Sequence, residues 1–210
     1  AFDYENGFYL TSSVDRMGNI LAHYELYKKI IDIPGSVIEC GVFRGGTLIQ
    51  FASFRELLET ENSRKIIGFD VFGEFPEAQN EADQKFRESW VKETNNEFLT
   101  KEEIAKSFAY KGIGNIELVE GDILETAKRY VTDHPELKIA LLHIDTDIYE
   151  PAKEALNVFF DRVVKGGVVA FDDYGTVGGE TRAVDEFFSK AKPELRKFRF
   201  AHEKPSYLIR

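Results

Sequence analysis

The stretch "IALLHIDTDIYEPAKEALNVFFDRVVKGGVVAFDDYG", residues 139–175, reads as strand, helix and strand in succession. "IALLHID" is almost continuously apolar, as a strand covered on both faces should be. "EPAKEALNVFFDRV" carries Pro151 where the first turn of a helix tolerates it. "GGVVAFDD" is a second apolar run. Asp145 and Asp147 close the first run, and Asp172 and Asp173 close the second. A right-handed parallel crossover brings both carboxyl ends to one sheet edge. Four carboxylates gathered there repel one another unless something positive lies among them.

The same rhythm extends outward. "SSVDRMGNILAHYELYKKIID" has a serine N-cap candidate and apolar residues at helical spacing, stopped by "IPG" at 33–35. "SVIEC" is a strand and "GGTLIQFASFRELLE" a helix. "KIIGFD" is a second strand, and "TKEEIAKSFAY" a helix opened by a capping box of Thr100 and Glu103. "NIELVEGD" and "ILETAKRYV" follow as strand and helix. After residue 175 come the helix "GETRAVDEFFSKA" and a hairpin of "RKFRFAH" and "SYLIR" joined through Glu203–Pro205. Five alternating units and a closing hairpin give an α/β fold of seven strands, mostly parallel. Residues 71–99 break the rhythm with an acidic, aromatic insertion; with the helix after it, 71–114 is expected beside the ligand, because insertions at strand ends surround the sites of such sheets.

The 210 residues suit one domain, 43% of them hydrophobic, without repeats or low-complexity blocks. A net charge of −10, with basic residues dispersed, argues against a nucleic-acid partner. The lone cysteine, Cys40, excludes an internal disulfide and reads as a small buried hydrophobe. Nothing resembles a membrane span or signal peptide, so a cytoplasmic protein is expected.

The first strand-to-helix turn, "IECGVFRGGT", lets backbone approach a ligand, and the next helix offers free N–H groups. Phe43 stands where a pyrophosphate-wrapping turn would have glycine, which disfavours a dinucleotide. Asp70 ends the second strand, where a carboxylate can accept from ribose hydroxyls. Asp122 follows the third and can serve an adenine amine or cap a helix. Asp145, Asp172 and Asp173 form a hard, oxygen-only set suited to Mg²⁺, with Mn²⁺ or Ca²⁺ as substitutes. Phe72, Phe75, Tyr149 and Tyr174 flank these acids and are candidates for an apolar acceptor floor. His143, inside an apolar strand, reads first as a hydrogen-bonded core residue and second as an alternative base.

"IPGSVIECGVFRGGT", "IIGFDVFGEFP" and the stretch at 139–175 resemble the macrocin O-methyltransferase family, from about Asp15 to Glu186. The resemblance implies a seven-stranded Rossmann-like methyltransferase sheet, S-adenosylmethionine as cofactor and a divalent metal. By motif match it puts Glu39, Cys40, Gly41, Val42, Phe43, Gly45, Gly46 and Thr47 around the cofactor, with Asp70 on its ribose; Asp122 and Asp145, at the ends of the third and fourth strands, are expected to adjoin it. It gives the metal to Asp145, Asp172 and Asp173 and the general base to Asp147, while Tyr149 and Tyr174 are expected at the acceptor from their place beside these acids. Residues 1–33, with Arg16 and Met17, are similar to the family's helical cover over the cofactor. Thr146 replaces the family's common glycine, and Pro151 and Ala152 replace small hydroxyl residues.

The implied reaction is O-methylation of a vicinal diol, on a sugar or sugar nucleotide, with a catechol as the competing acceptor. A metal-dependent glycosyltransferase would explain "HIDTD" but leave the glycine turn and second acidic pair without a role. A non-catalytic S-adenosylmethionine-binding module would not need the aspartates. A small-molecule acceptor is the expected partner, without membrane or nucleic acid; a homodimer is compatible with the sequence.

Overall fold

The structure, a computed structural model, describes residues 2–201 and 204–210. Glu203, expected in the last turn, lies outside the described residues, as does His202 at the end of the preceding strand. Helices α1 (Phe2–Thr11) and α2 (Val14–Lys28) lead into β1 (Ser36–Cys40), α3 (Gly46–Leu58) and β2 (Ile66–Asp70). Then come α4 (Glu81–Thr94), α5 (Lys101–Lys111), β3 (Ile116–Glu120), α6 (Ile123–Asp133) and β4 (Ile139–Ile144). Helix α7 (Tyr149–Phe159), β5 (Val163–Phe171), α8 (Gly178–Phe187), β6 (Arg196–Lys197) and β7 (Ser206–Ile209) complete the chain.

The seven strands form one sheet in the order β3-β2-β1-β4-β5-β7-β6. β1 to β5 run parallel, while β7 is antiparallel to both β5 and β6. Strand order reverses between β1 and β4. Right-handed crossovers then require the helices before and after the reversal to take opposite faces. Side-chain parity records this division. Val37, Leu141 and Val168 pack with Leu26, Phe51 and Ile104 from α2, α3 and α5. Ile38, Leu142 and Val169 pack with Ala127, Leu156 and Val184 from α6, α7 and α8. All six residues of β4 are buried, the continuous apolar pattern being the mark of its central place.

Local signals act where the sequence puts them. Ser13 caps α2 by accepting from Arg16 N, and Thr100 and Glu103 form the reciprocal capping box of α5. Two elements differ from expectation. Residues 2–11 form a separate helix that buries no residue, and β6 contains only two residues because Phe198 stacks on Tyr207 and leaves the ladder. Helix α5 is the β2–β3 crossover, so only the loop and α4 are added to the basic fold.

Candidate functional site

A cleft of about 830 Å³ opens at the carboxyl edge, beside the β1/β4 reversal. One wall is the β1–α3 turn. Gly41 adopts φ +89°, and a Cβ there would lie 1.8 Å from the carbonyl oxygen of Asp145, so only glycine admits the β4 loop. Phe43 is left-handed at φ 50°. That conformation turns Val42 N and Phe43 N onto Asp70 Oδ2, at 2.7 and 2.9 Å, while Phe72 N donates to Oδ1 at 2.7 Å. Charge-assisted bonds of this kind offset a non-glycine residue's left-handed cost of about 1–2 kcal/mol. The turn's free N–H groups therefore already hold an internal anion, Asp70, which faces the cleft.

Gly41, Val42, Phe43, Gly46 and Thr47 line the cleft, and Asp122 and Asp145 do too. Asp122 caps α6 through Leu124 N at 2.9 Å, so its capping and cleft-facing positions coexist. Glu39, Cys40 and Gly45 do not line it. Glu39 and Cys40 are buried within β1, and Gly45 packs on Ile104. Burial, reinforced by Glu39, pushes the Cys40 thiol well up.

The acidic pairs converge as their strand ends suggest. Oxygens of Asp145, Asp172 and Asp173 lie within 4.8 Å of one another. At an effective dielectric near 20, unit charges that close repel by roughly 3–4 kcal/mol per pair. A lysine and two imidazoles face them. Lys204 Nζ bonds Asp173 Oδ1 closely and stands 3.9 Å from Asp172 Oδ2. His23 Nε2 and His143 Nε2 each stand 3.8 Å from Asp172 Oδ1. Burial opposes ionisation of Asp172, but His143 and His23 overcome it and hold its carboxyl well below the usual range. Burial, then the charge of Asp172, pushes Asp145 the other way. Asp147, left-handed at φ 60°, is raised by burial and then by Asp173. Burial also disfavours charge on Lys204 and His143; Asp173 keeps Lys204 protonated, and Asp172 with Glu39 raises His143 well above its ordinary value.

His143 is thus buried as expected but not as a hydrogen-bonded core residue. Its Nδ1 stands 3.4 Å from Glu39 Oε1, and neither ring nitrogen makes an aligned hydrogen bond among the described residues. Tyr149 and Tyr174 also differ from expectation, because neither lines the cleft. Tyr149 Oη donates to Glu186 at 2.5 Å and Tyr174 Oη to Asp185 at 2.9 Å, both toward α8. Phe75 does line the cleft, whereas Phe72 is core.

The insertion supplies the opposite wall. Phe86 and Trp90 of α4 face the cleft, with Trp90 5.7 Å from the ring of Phe43. Buried Asp83 anchors this helix by accepting from Tyr149 N at 2.9 Å, capping α7 where Ile148 offers no side-chain cap. Ser13, the cap of α2, and Asp15, Arg16 and Asn19 within it close another side, whereas Met17 does not line the cleft. Among the described residues no helix is long and apolar enough to cross a membrane.

A family model of macrocin-O-methyltransferase (TylF) matches residues 13–196. The chain belongs to the macrocin-O-methyltransferase family. This family member is 27% identical over 147 residues to an 8-demethyl-8-(2,3-dimethoxy-alpha-L-rhamnosyl)-tetracenomycin-C 4'-O-methyltransferase of Streptomyces olivaceus, covering 68% of this chain and 54% of that protein. It is 25% identical over 163 residues to demethyldecarbamoylnovobiocin O-methyltransferase of Streptomyces niveus, covering 76% and 60%. It therefore spans a little over half the length of these curated relatives. The crystal structure of CalS11, a calicheamicin methyltransferase, matches at a TM-score of 0.78 and 29% identity over 99% of this chain and 84% of that one. The O-methyltransferase NovP shares the fold at a TM-score of 0.78 and 22% identity, over 92% and 79%.

Lys204, His23, Asp83, Phe86 and Trp90 of this macrocin-O-methyltransferase family member had no place in the sequence-based site. Lys204 carries one local signal, a lone lysine before Pro205 in the turn beside β5. The others depend on which helix face meets the sheet edge.

Proposed function

We propose that the chain is an S-adenosylmethionine- and Mg²⁺-dependent O-methyltransferase of a vicinal-diol acceptor, most simply a deoxysugar or its nucleotide. The observation that carries the reading is the convergence of Asp145, Asp172 and Asp173 within 4.8 Å on a cleft that also exposes Asp70 and Asp122. The donor set fits a hard dication: it is oxygen-only, Asp173 Oδ2 is buried without a hydrogen-bond partner among the described residues, and the Lys204 ammonium already stands among the acids. Asp145, Asp172 and Asp173 would hold Mg²⁺. When bound, S-adenosylmethionine supplies the methyl group, and the cation supplies acidification and orientation of adjacent hydroxyls.

Residues of the chain do the rest. Asp70, fixed by three backbone N–H groups, keeps lone pairs for ribose hydroxyls. Asp122 caps α6 with Oδ1 and keeps Oδ2 for an adenine amine. Gly41 to Phe43 and Gly46 to Thr47 form the cofactor-side wall. Asp147 is assigned as the base that takes the hydroxyl proton at its carboxylate. Burial and Asp173 raise its pKa, which improves a carboxylate for that task. The aromatic pair Phe86 and Trp90 offers an apolar surface to the acceptor in place of Tyr149 and Tyr174.

Relatives named for rhamnosyl and TDP-rhamnose methylation support a deoxyhexose acceptor. The aromatic wall favours one second reading, a catechol. Labelled S-adenosylmethionine, Mg²⁺, a panel of deoxysugar nucleotides and a panel of catechols separate the two. Label transfer to a deoxysugar nucleotide alone is expected; transfer only to catechols contradicts the sugar reading.

A further inference from the structure

Asp172 has two unlike sides. Oδ2 faces Lys204 among the carboxylates, whereas Oδ1 faces two imidazoles, His23 Nε2 and His143 Nε2, each at 3.8 Å. Strand parity places them together. Glu39 is opposite His143 and His143 opposite Ala170, and Asp172 lies two residues beyond on the face that α2 covers with His23.

Each imidazole has an acceptor at its other nitrogen. His23 Nδ1 pairs with Gln50 Oε1 at 2.9 Å, and His143 Nδ1 faces Glu39 Oε1 at 3.4 Å. Gln50 Oε1 favours the proton of His23 on Nδ1, leaving its Nε2 lone pair free, and Glu39 is placed to do the same for His143 once a cation displaces the proton from its Nε2, as the outer partners of metal-bound histidines do. His23 is 3% and His143 0% exposed, and neither Nε2 has a hydrogen-bond partner among the described residues. Unpartnered buried nitrogens are costly, and two of them aimed at one carboxylate oxygen call for a common ligand.

We propose that His23, His143 and Asp172 form a second cation position, for a borderline transition ion of the Zn²⁺ class, adjoining the hard-ion position and sharing Asp172 with it. Imidazole nitrogens favour Zn²⁺, Co²⁺ or Ni²⁺ over Mg²⁺. The spacing suits such an ion. Ligands about 2.0–2.1 Å from a tetrahedral centre stand roughly 3.3–3.4 Å apart, so the observed 3.8 Å separations close by small side-chain shifts. Glu39 and Gln50 become positioning residues, and the buried location of Glu39, outside the cleft, acquires a role. The position needs no bound cofactor or acceptor, and Asp172 alone links it to the proposed hard-ion position.

The test uses the full chain with one equivalent of Zn²⁺ in excess Mg²⁺. X-ray absorption at the zinc edge should show outer-shell scattering from two imidazoles. Calorimetric titration should give one Zn²⁺ per chain, weakened at least about 100-fold in His23→Gln and changed only a few-fold in Asp173→Asn, with circular dichroism checking both folds. An oxygen-only zinc shell, no uptake in the presence of Mg²⁺, or wild-type Zn²⁺ affinity in His23→Gln would each overturn the proposal. The absorption spectrum decides on the unaltered protein even if a variant fails to fold.

Discussion

Asp172 carries the charge balance of the cleft, because two histidines hold it ionised while burial and acidic neighbours push Asp145 and Asp147 toward their protonated forms. Asp172→Asn is expected to cut methyl transfer at least about 100-fold. Its cofactor affinity should stay within a few-fold, since Asp70 and Asp122 belong to other strands; equilibrium binding and turnover measured together check this. Lys204 is the tethered cation among these acids, so Lys204→Met should tighten Mg²⁺ roughly five-fold by calorimetry, the worth of about 1 kcal/mol of ion pairing. Cys40 gives a prediction independent of metal. Its thiol stays protonated in the fold but ionises near pH 8.5 in an unfolded chain. Its contribution to stability is thus complete below that pH and declines as pH rises above it. Native Cys40 should resist thiol reagents at pH 8–9, and react at once in denaturant. At this scale the sequence showed the acids clearly, because a residue that ends a parallel strand has its edge fixed by the strand. It did not show where Tyr149 and Tyr174 point, since that depends on Glu186 and Asp185, 37 and 11 residues further along the chain, finding them. His23 was hidden for the same reason: only the packing of α2 on β4 brings it to Asp172.

Helix α4 is the element that distinguishes this cleft, and its anchor is a single buried carboxylate. Asp83 receives Tyr149 N and touches the place where Gly179 lacks a Cβ; a Cβ there would lie 2.5 Å from Asp83 Oδ1. Asp83→Ala strands a buried N–H at the start of α7 and should cost about 1–3 kcal/mol in denaturant unfolding. Trp90, the only tryptophan, sits on the loosened wall, so its fluorescence should change in the variant without denaturant. The strand–helix alternation was legible because buried strands and amphipathic helices differ in period, and the capping box of Thr100 and Glu103 marked α5 outright. The length of β6 was not. "RKFRFAH" has the composition of a strand, but the ring of Phe198 packs on Tyr207 and pairing ends at Lys197.

Across the whole molecule, the reversal of strand order between β1 and β4 opens a crevice at the carboxyl edge, and the acidic strand ends fill its floor. Helix α1 stands outside this architecture. It buries no residue and leaves Phe2, Tyr4 and Leu10 exposed, so deletion of residues 2–11 should shift the melting temperature by no more than about 2 °C. The mostly parallel sheet and its closing hairpin could be read in advance because strands and helices alternate along the chain; the shape of the cleft could not, because α2 and α4 meet it from positions far apart in sequence. The account as a whole depends on a dication being required where β4 and β5 end. Its most direct test is methyl transfer to a deoxysugar nucleotide after exhaustive chelation, with Mg²⁺ then restored. Loss of turnover on chelation and recovery with Mg²⁺ is the predicted result; undiminished turnover in the chelated enzyme would contradict it.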